Sequence, residues 1–143
     1  MKTKDNFTPW NQFDTYRGKE FSGEWPTIKE LFHINTMRYP DNTCWKEYSP
    51  KEIALTYKEA EEKVKEVSSW FLSLGVKKGD KIIVSGKNSV AWAVTYIAVQ
   101  YAGCTVVPLD SSLHDEDFIK FAKFSDSVVL VAANDRMKKV AGS

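Results

Sequence analysis

Residues 81–109 read KIIVSGKNSVAWAVTYIAVQYAGCTVVPL, two apolar runs on either side of a long uncharged middle. The run at 81–85 predicts a strand, and CTVVPL at 104–109 predicts a second, buried one. Between them, residues 89–102 predict a helix that is apolar almost all round. A strand, a crossover helix and a strand make a βαβ unit, whose strands are parallel and whose connection is right-handed. From Asn88 to Leu109 no residue is charged, which raises the question of a membrane span. Asn88, Ser89, Thr95, Gln100, the Ala-Gly break and Pro108 argue against one, so a buried helix followed by a buried strand is expected.

The flanking segments extend the same pattern. Upstream, Thr56 and Glu59 stand at capping-box spacing, and Tyr57, Ala60, Val64, Val67, Phe71 and Leu74 recur at steps of three and four. A helix is predicted with that stripe inward and Lys58, Glu61, Glu62, Lys65 and Glu66 on its polar face. Gly75 ends it in the left-handed conformation, with Val76 folding back. TCWKEYS at 43–49 and IALTY at 53–57 read as short paired strands. Thr27 and Glu30 start an earlier helix at 27–38, with Ile28, Leu31 and Phe32 on one side and Tyr39-Pro40 as its stop. Residues 1–26 form an aromatic arm whose Trp10, Phe13, Tyr16, Phe21 and Trp25 follow no period. Downstream, 115–125 predicts a helix with Phe118, Phe121 and Ala122 inward, and SVVLVAA at 127–133 a third buried strand. The whole is a doubly wound, mainly parallel α/β layer.

The Gly86-Lys87 pair looks like a nucleotide-binding P-loop. That loop needs GxxxxGK followed by Ser or Thr, and here Lys81 and Asn88 occupy the two defining positions. Lys81 also lies at the start of the strand, which leaves no loop of the required length. Gly86 is therefore read as the residue of a tight turn, and Asn88 or Ser89 as the N-cap of the next helix. Ligands of open parallel sheets lie beyond the carboxyl ends of the strands. SGKNS at 85–89 and PLDSS at 108–112 follow two such ends, so Lys87, Asn88, Asp110 and Ser111 are candidate residues at the edge of a shared cleft. Trp92, on the apolar helix, is read as a core anchor.

Composition narrows the function. Hydrophobic residues are 43% of the 143, charged residues 27%, and the net charge is +1, so neither disorder nor a nucleic-acid partner is indicated. Cys44 and Cys104 lie far apart without ligand spacing and read as reduced core thiols. His33 and His114 accompany neither GxSxG nor HExxH and read as surface or packing residues, so no catalytic and no metal-binding residue is assigned. The N-terminus has no apolar signal core, which predicts a cytoplasmic chain or one peripheral to a membrane.

Residues 55–113 carry a further pattern. The order TYKE, GVKKGDKI, NSVAW and AGCTVVPL resembles the N-terminal part of the AMP-forming, or adenylate-forming, ligases, above all the acyl-CoA synthetases that act on long-chain fatty acids. TIKELF, RYPDNTCW and LTYKE carry the likeness back to Thr27. The aromatic arm at 1–26 precedes what the resemblance implies to be an incomplete N-terminal α/β subdomain at 27–143. It implies ATP, magnesium and CoA as cofactors of a longer ligase that turns a carboxylic acid into an acyl adenylate and then a thioester. The family's phosphate-binding Lys loop, its Thr-Glu segment and its mobile C-terminal domain have no counterpart in this sequence. None of the three cofactors is therefore expected on this chain alone, which is expected to be inactive. Its expected partners are the C-terminal remainder of the ligase and, through an exposed strand edge or the arm, a second copy of itself. A self-contained α/β binding module and the adenylation domain of a peptide synthetase are the alternatives.

Overall fold

The computed structural model describes residues 9–140. A short 3-10 helix, Pro9–Phe13, precedes α1 (Ile28–Arg38), β1 (Thr43–Glu47), β2 (Ile53–Thr56), α2 (Tyr57–Ser73), β3 (Lys81–Ser85), α3 (Val90–Tyr101), β4 (Thr105–Leu109), α4 (Asp115–Phe124), β5 (Val129–Ala132) and α5 (Asn134–Val140). Both capping boxes form. Thr27 Oγ1 accepts from the Glu30 amide while the Glu30 carboxylate accepts from the Thr27 amide, and Thr56 and Glu59 repeat the arrangement. These bonds hold both glutamate carboxyls below their ordinary range.

β4, β3 and β5 form a parallel sheet with β3 in the middle. Ile82 faces Val106 and Val129 across the ladder, and Ile83 faces Val107 and Leu130. Because side chains alternate along a strand, the two rows lie on opposite faces. Ile82, Val84, Val106, Val129 and Val131 join the core built with α2 and α3. Ile83 and Leu130 lie with the fully buried Phe118 of α4 on the other face. The sheet is covered on both sides, as a doubly wound layer requires. β1 and β2 form a separate antiparallel pair, attached through Trp45, which stacks on Phe32 at 5.4 Å. Among the described residues no helix is long and apolar enough to cross a membrane, and the uncharged segment is a partly buried helix, α3, followed by β4, an outer strand that is half-buried where a buried strand was expected.

Four side chains depart from the sequence reading. Leu74 is exposed, because the apolar stripe of α2 leaves the packed surface in its last turn along with Trp70 and Leu72. Ile28 is exposed as well. Burial on α1 falls on Phe32, Thr36 and Ile34, and Ile34 stands about 200° around the helix from Phe32, so α1 is covered on more than one side. Phe121 is exposed because the inward stripe of α4 runs through Phe118, Ile119 and Ala122. Glu61, placed on the polar face of α2, is 6% exposed. His33 Nδ1 of α1 lies 2.7 Å from its Oε1, the Tyr101 hydroxyl of α3 donates to the same oxygen at 2.8 Å, and Lys65 donates to Oε2 at 2.8 Å. Burial alone would raise this carboxyl. The bonds from Lys65, His33 and Tyr101 outweigh burial and hold it below the ordinary range.

Of the aromatic arm, residues 1–8 lie outside the described part, while Phe21 is buried. Cys44 and Cys104 are free thiols, and burial pushes Cys44 up to about 11.

Candidate functional site

The chain leaves β3 through α3 to reach β4 on one side, then returns through α4 to β5 on the other. Strand order reverses around β3, and at such a point the loops beyond the strand ends part to leave a crevice. A cleft of about 770 Å³ opens there between the 84–89 and 131–136 segments, floored by Ala91, Trp92 and Thr95 of α3 and closed by Glu47, Ser49 and Pro50 of the β1–β2 connection. A second cleft of about 500 Å³ lies on the β4 side, between residues 86–88 and 108–111. The turn at 86–88 divides the two. Lys87, Asn88 and Ser111 border both clefts, whereas Asp110 borders only the smaller.

The divider is no phosphate loop. Ser89 is the N-cap of α3, its hydroxyl accepting from the Trp92 amide at 3.1 Å, and Asn88 makes no such bond. The carboxylate of Glu47 accepts from the Val90 amide at 3.0 Å. The positive end of α3, where a bound phosphate would sit, already holds a carboxylate of the chain itself. Gly86 also lacks the positive φ seen at Gly18, Gly75, Gly79 and Gly103. A Cβ there would meet Trp92 Cδ1 at 3.6 Å, an ordinary contact, so the turn does not require glycine as the sequence reading held.

Lys87 and Asn88 are exposed at the tip of this turn. Asp110 is engaged locally, its Oδ1 accepting from the Ser112 amide at 2.7 Å and hydroxyl at 2.8 Å, and those bonds keep its carboxyl below the usual value. Trp92 is half-buried, packed against the core and stacked on Tyr96 at 5.2 Å, and its remaining surface walls both clefts. An apolar helix has more apolar surface than two neighbours cover, and the sheet crevice leaves this side of α3 open.

Sequence reading missed the β5 side of the cleft. Arg136 of α5 donates to the carbonyl oxygens of Ser111 at 2.9 Å and Leu113 at 2.7 Å, pairs with Asp115, and lies over the Phe118 ring at 4.8 Å. It thereby ties α5 to the loop after β4 and sets the position of Ser111. Seven residues, NDRMKKV, carry too little apolar periodicity to announce such a helix. Glu47 is equally silent, since nothing in TCWKEYS indicates that its carboxylate reaches a helix 43 residues further on.

The lining contains neither histidine nor cysteine. Among the described residues no three potential ligands gather as a metal site. Cations at Lys87 and Lys139, hydroxyls at Ser49 and Ser111 and an apolar wall at Trp92 suit binding and orientation of a ligand with both polar and apolar parts.

Comparison with known proteins accords with this geometry. Residues 32–142 match the family model described as AMP-binding enzyme. A chloroplastic long-chain-fatty-acid acyl-carrier-protein ligase of Arabidopsis thaliana is 26% identical over 114 residues, 79% of this chain and 16% of that protein. Bacitracin synthase 1 of Bacillus licheniformis is 32% identical over 101 residues, 71% of this chain and 2% of that protein. This chain thus spans only a small part of the length of these curated relatives. Among solved structures, the N-terminal subdomain of NpsA from Klebsiella oxytoca superposes with a TM-score of 0.75 at 17% identity, over 85% of this chain and 30% of that one. A fatty acid AMP ligase from Legionella pneumophila does so with 0.71 at 17% identity, over 81% and 21%. The sheet of the βαβ unit and the sequence match over most of the chain agree, and the chain belongs to the AMP-binding enzyme family.

Proposed function

We propose that this chain is a scaffold portion of an ATP-dependent, AMP-forming ligase that activates a fatty acid and passes it to CoA. The observation that carries the reading is the family match over residues 32–142, which takes in the βαβ unit and both clefts. The names of two relatives support the acid and the thiol, the fatty-acid acyl-carrier-protein ligase above and a mitochondrial medium-chain acyl-CoA ligase of Mus musculus, 28% identical over 91 residues. In this reaction a carboxylate oxygen attacks the α-phosphorus of ATP and pyrophosphate leaves. The thiol sulfur then attacks the acyl carbon and AMP leaves. Lys87, Asn88, Asp110 and Ser111 border the clefts and contribute position, while ATP, magnesium and CoA act in the longer ligase. The described residues bring together no metal site, so no step through magnesium is assigned to them.

A second reading, the adenylation domain of a peptide synthetase, is favoured by the 32% identity to bacitracin synthase 1. Exchange of labelled pyrophosphate into ATP separates the two. Fatty-acid-dependent exchange and acyl-CoA formation are expected from a longer polypeptide carrying this chain, and neither from residues 1–143 alone. Exchange driven by an amino acid would establish the second reading. Fatty-acid-dependent AMP release by the purified 143-residue chain would overturn the scaffold assignment.

A further inference from the structure

We propose that the exit of α2 is a docking surface for an anionic lipid membrane, with Trp70, Leu72 and Leu74 entering the interface and Lys77, Lys78 and Lys81 meeting its headgroups. The inference rests on residues 70–81 and does not depend on the ligase reading. Trp70, Leu72 and Leu74 are each just over half exposed, while Phe71 among them is fully enclosed. Single exposed apolar residues are ordinary on a protein surface. A group of them at one helix end, next to unpaired charge of one sign, marks a contact surface.

The exposure is fixed by the fold. The Leu74 amide donates to the carbonyl oxygens of Trp70 at 3.3 Å and Phe71 at 3.0 Å. Gly75, at φ +85°, then turns the chain away, its amide donating to Leu72 O at 3.0 Å. Beyond it the Asp80 carboxylate accepts from the Lys77 amide at 2.7 Å, and the Gly79 amide donates to Gly103 O at 2.9 Å. A bonded turn thus holds the three apolar side chains at the surface, and a partner meets them without having to order the backbone.

Charge selects the partner. Residues 70–81 carry Lys77, Lys78 and Lys81 against Asp80 alone. The three lysines are exposed and enter no ion pair with the described residues. A second copy meeting this end about a twofold axis would set lysines against lysines. An anionic bilayer offers the opposite charge, takes the indole at its interface and the leucines beneath it, and lets the lysine stems reach back to the headgroups. Neither cleft takes in any of residues 70–81, so the apolar group stands on a helix end and not in a groove that a peptide would fill. Lys81 starts β3 whereas the clefts open beyond its other end, and both stay open in a chain docked this way.

Flotation of the 143-residue chain with lipid vesicles tests the surface. Vesicles of mixed phosphatidylcholine and phosphatidylglycerol should carry the chain, less of it as salt is raised, and vesicles of phosphatidylcholine alone should carry little. Lys77→Gln and Lys78→Gln should each weaken binding about fivefold. Leu72→Ser combined with Leu74→Ser should abolish it while the urea midpoint stays close to wild type, since neither side chain is enclosed. Brominated lipids in the mixed vesicles should quench tryptophan emission of the wild-type chain, and Trp70→Phe should remove most of that quenching. Absence of binding to the mixed vesicles, equal binding to both kinds, binding indifferent to the leucine and lysine changes, or quenching that survives Trp70→Phe would overturn the proposal. So would loss of binding in Phe124→Ser, which alters the helix on the other face of the sheet.

Discussion

Trp92 packs against the core and on Tyr96 while part of it faces the cleft, so truncating it removes a stacking contact and only part of a side chain's burial. Trp92→Ala should cost about 2 kcal/mol in urea unfolding, less than a fully enclosed tryptophan would. A loss twice that size would mark the ring as fully enclosed. Six residues before it, Gly86 has neither a positive φ nor a tight neighbour. Gly86→Ala should therefore leave stability unchanged or raise it by about 0.5 kcal/mol, since alanine has fewer unfolded conformations to lose. A drop of several degrees in Tm would show that the turn depends on glycine after all. At this scale the sequence was a fair guide to Ser89, whose hydroxyl needs only the helix that starts beside it. It was a poor guide to Gly86 and to how far Trp92 is exposed, because exposure and φ depend on what lies opposite.

The three helices α1, α2 and α3 meet at Glu61, and the strength of that joint shows in acid. A carboxyl held below its ordinary value contributes stability that is complete above the usual carboxylate range and is lost as pH falls through the lowered folded value. Glu61 does this from a buried position, with Glu30 and Glu59 adding the same sign at the helix starts. Glu61→Ala removes the acceptor shared by His33, Lys65 and Tyr101 and should cost about 3 kcal/mol near neutral pH. It should also flatten the fall of Tm between weakly and strongly acid solution. A variant whose acid profile matches the wild type would separate Glu61 from this dependence. The helices themselves were legible, because capping boxes and three-to-four spacing are local. The joint was not. Glu61 sits in the charged run KEAEEK and reads as a solvated residue, while two of the groups that bond it come from 28 and 40 residues away.

For the molecule as a whole, the sheet has one interior strand and two outer ones. Among the described residues β4 and β5 each pair on one side only. Phe124 of α4 is 85% exposed, and Phe121 and Val128, the residue before β5, are exposed as well. Unpaired edges next to apolar side chains favour association, so sedimentation of the chain should show concentration-dependent self-association, reduced by Phe124→Ser. Val129 is unsuitable for such a test because it packs on the core formed with α2 and α3. A monomer at all concentrations, in both wild type and variant, would exclude this surface as the contact.

Sequence by itself determined the elements from α1 to β5, the parallel βαβ unit, the rejection of a P-loop and the family. Each rests on residues adjacent or a few turns apart, where periodicity, capping and spacing act through the backbone before any long-range contact forms. Tertiary structure alone decided that β3 lies between β4 and β5, that the larger cleft opens toward β5, and that Glu47, Arg136 and Glu61 reach their partners. Those outcomes follow from which surfaces meet when the layer closes, and the 43 residues between Glu47 and Val90 carry no local mark of that meeting.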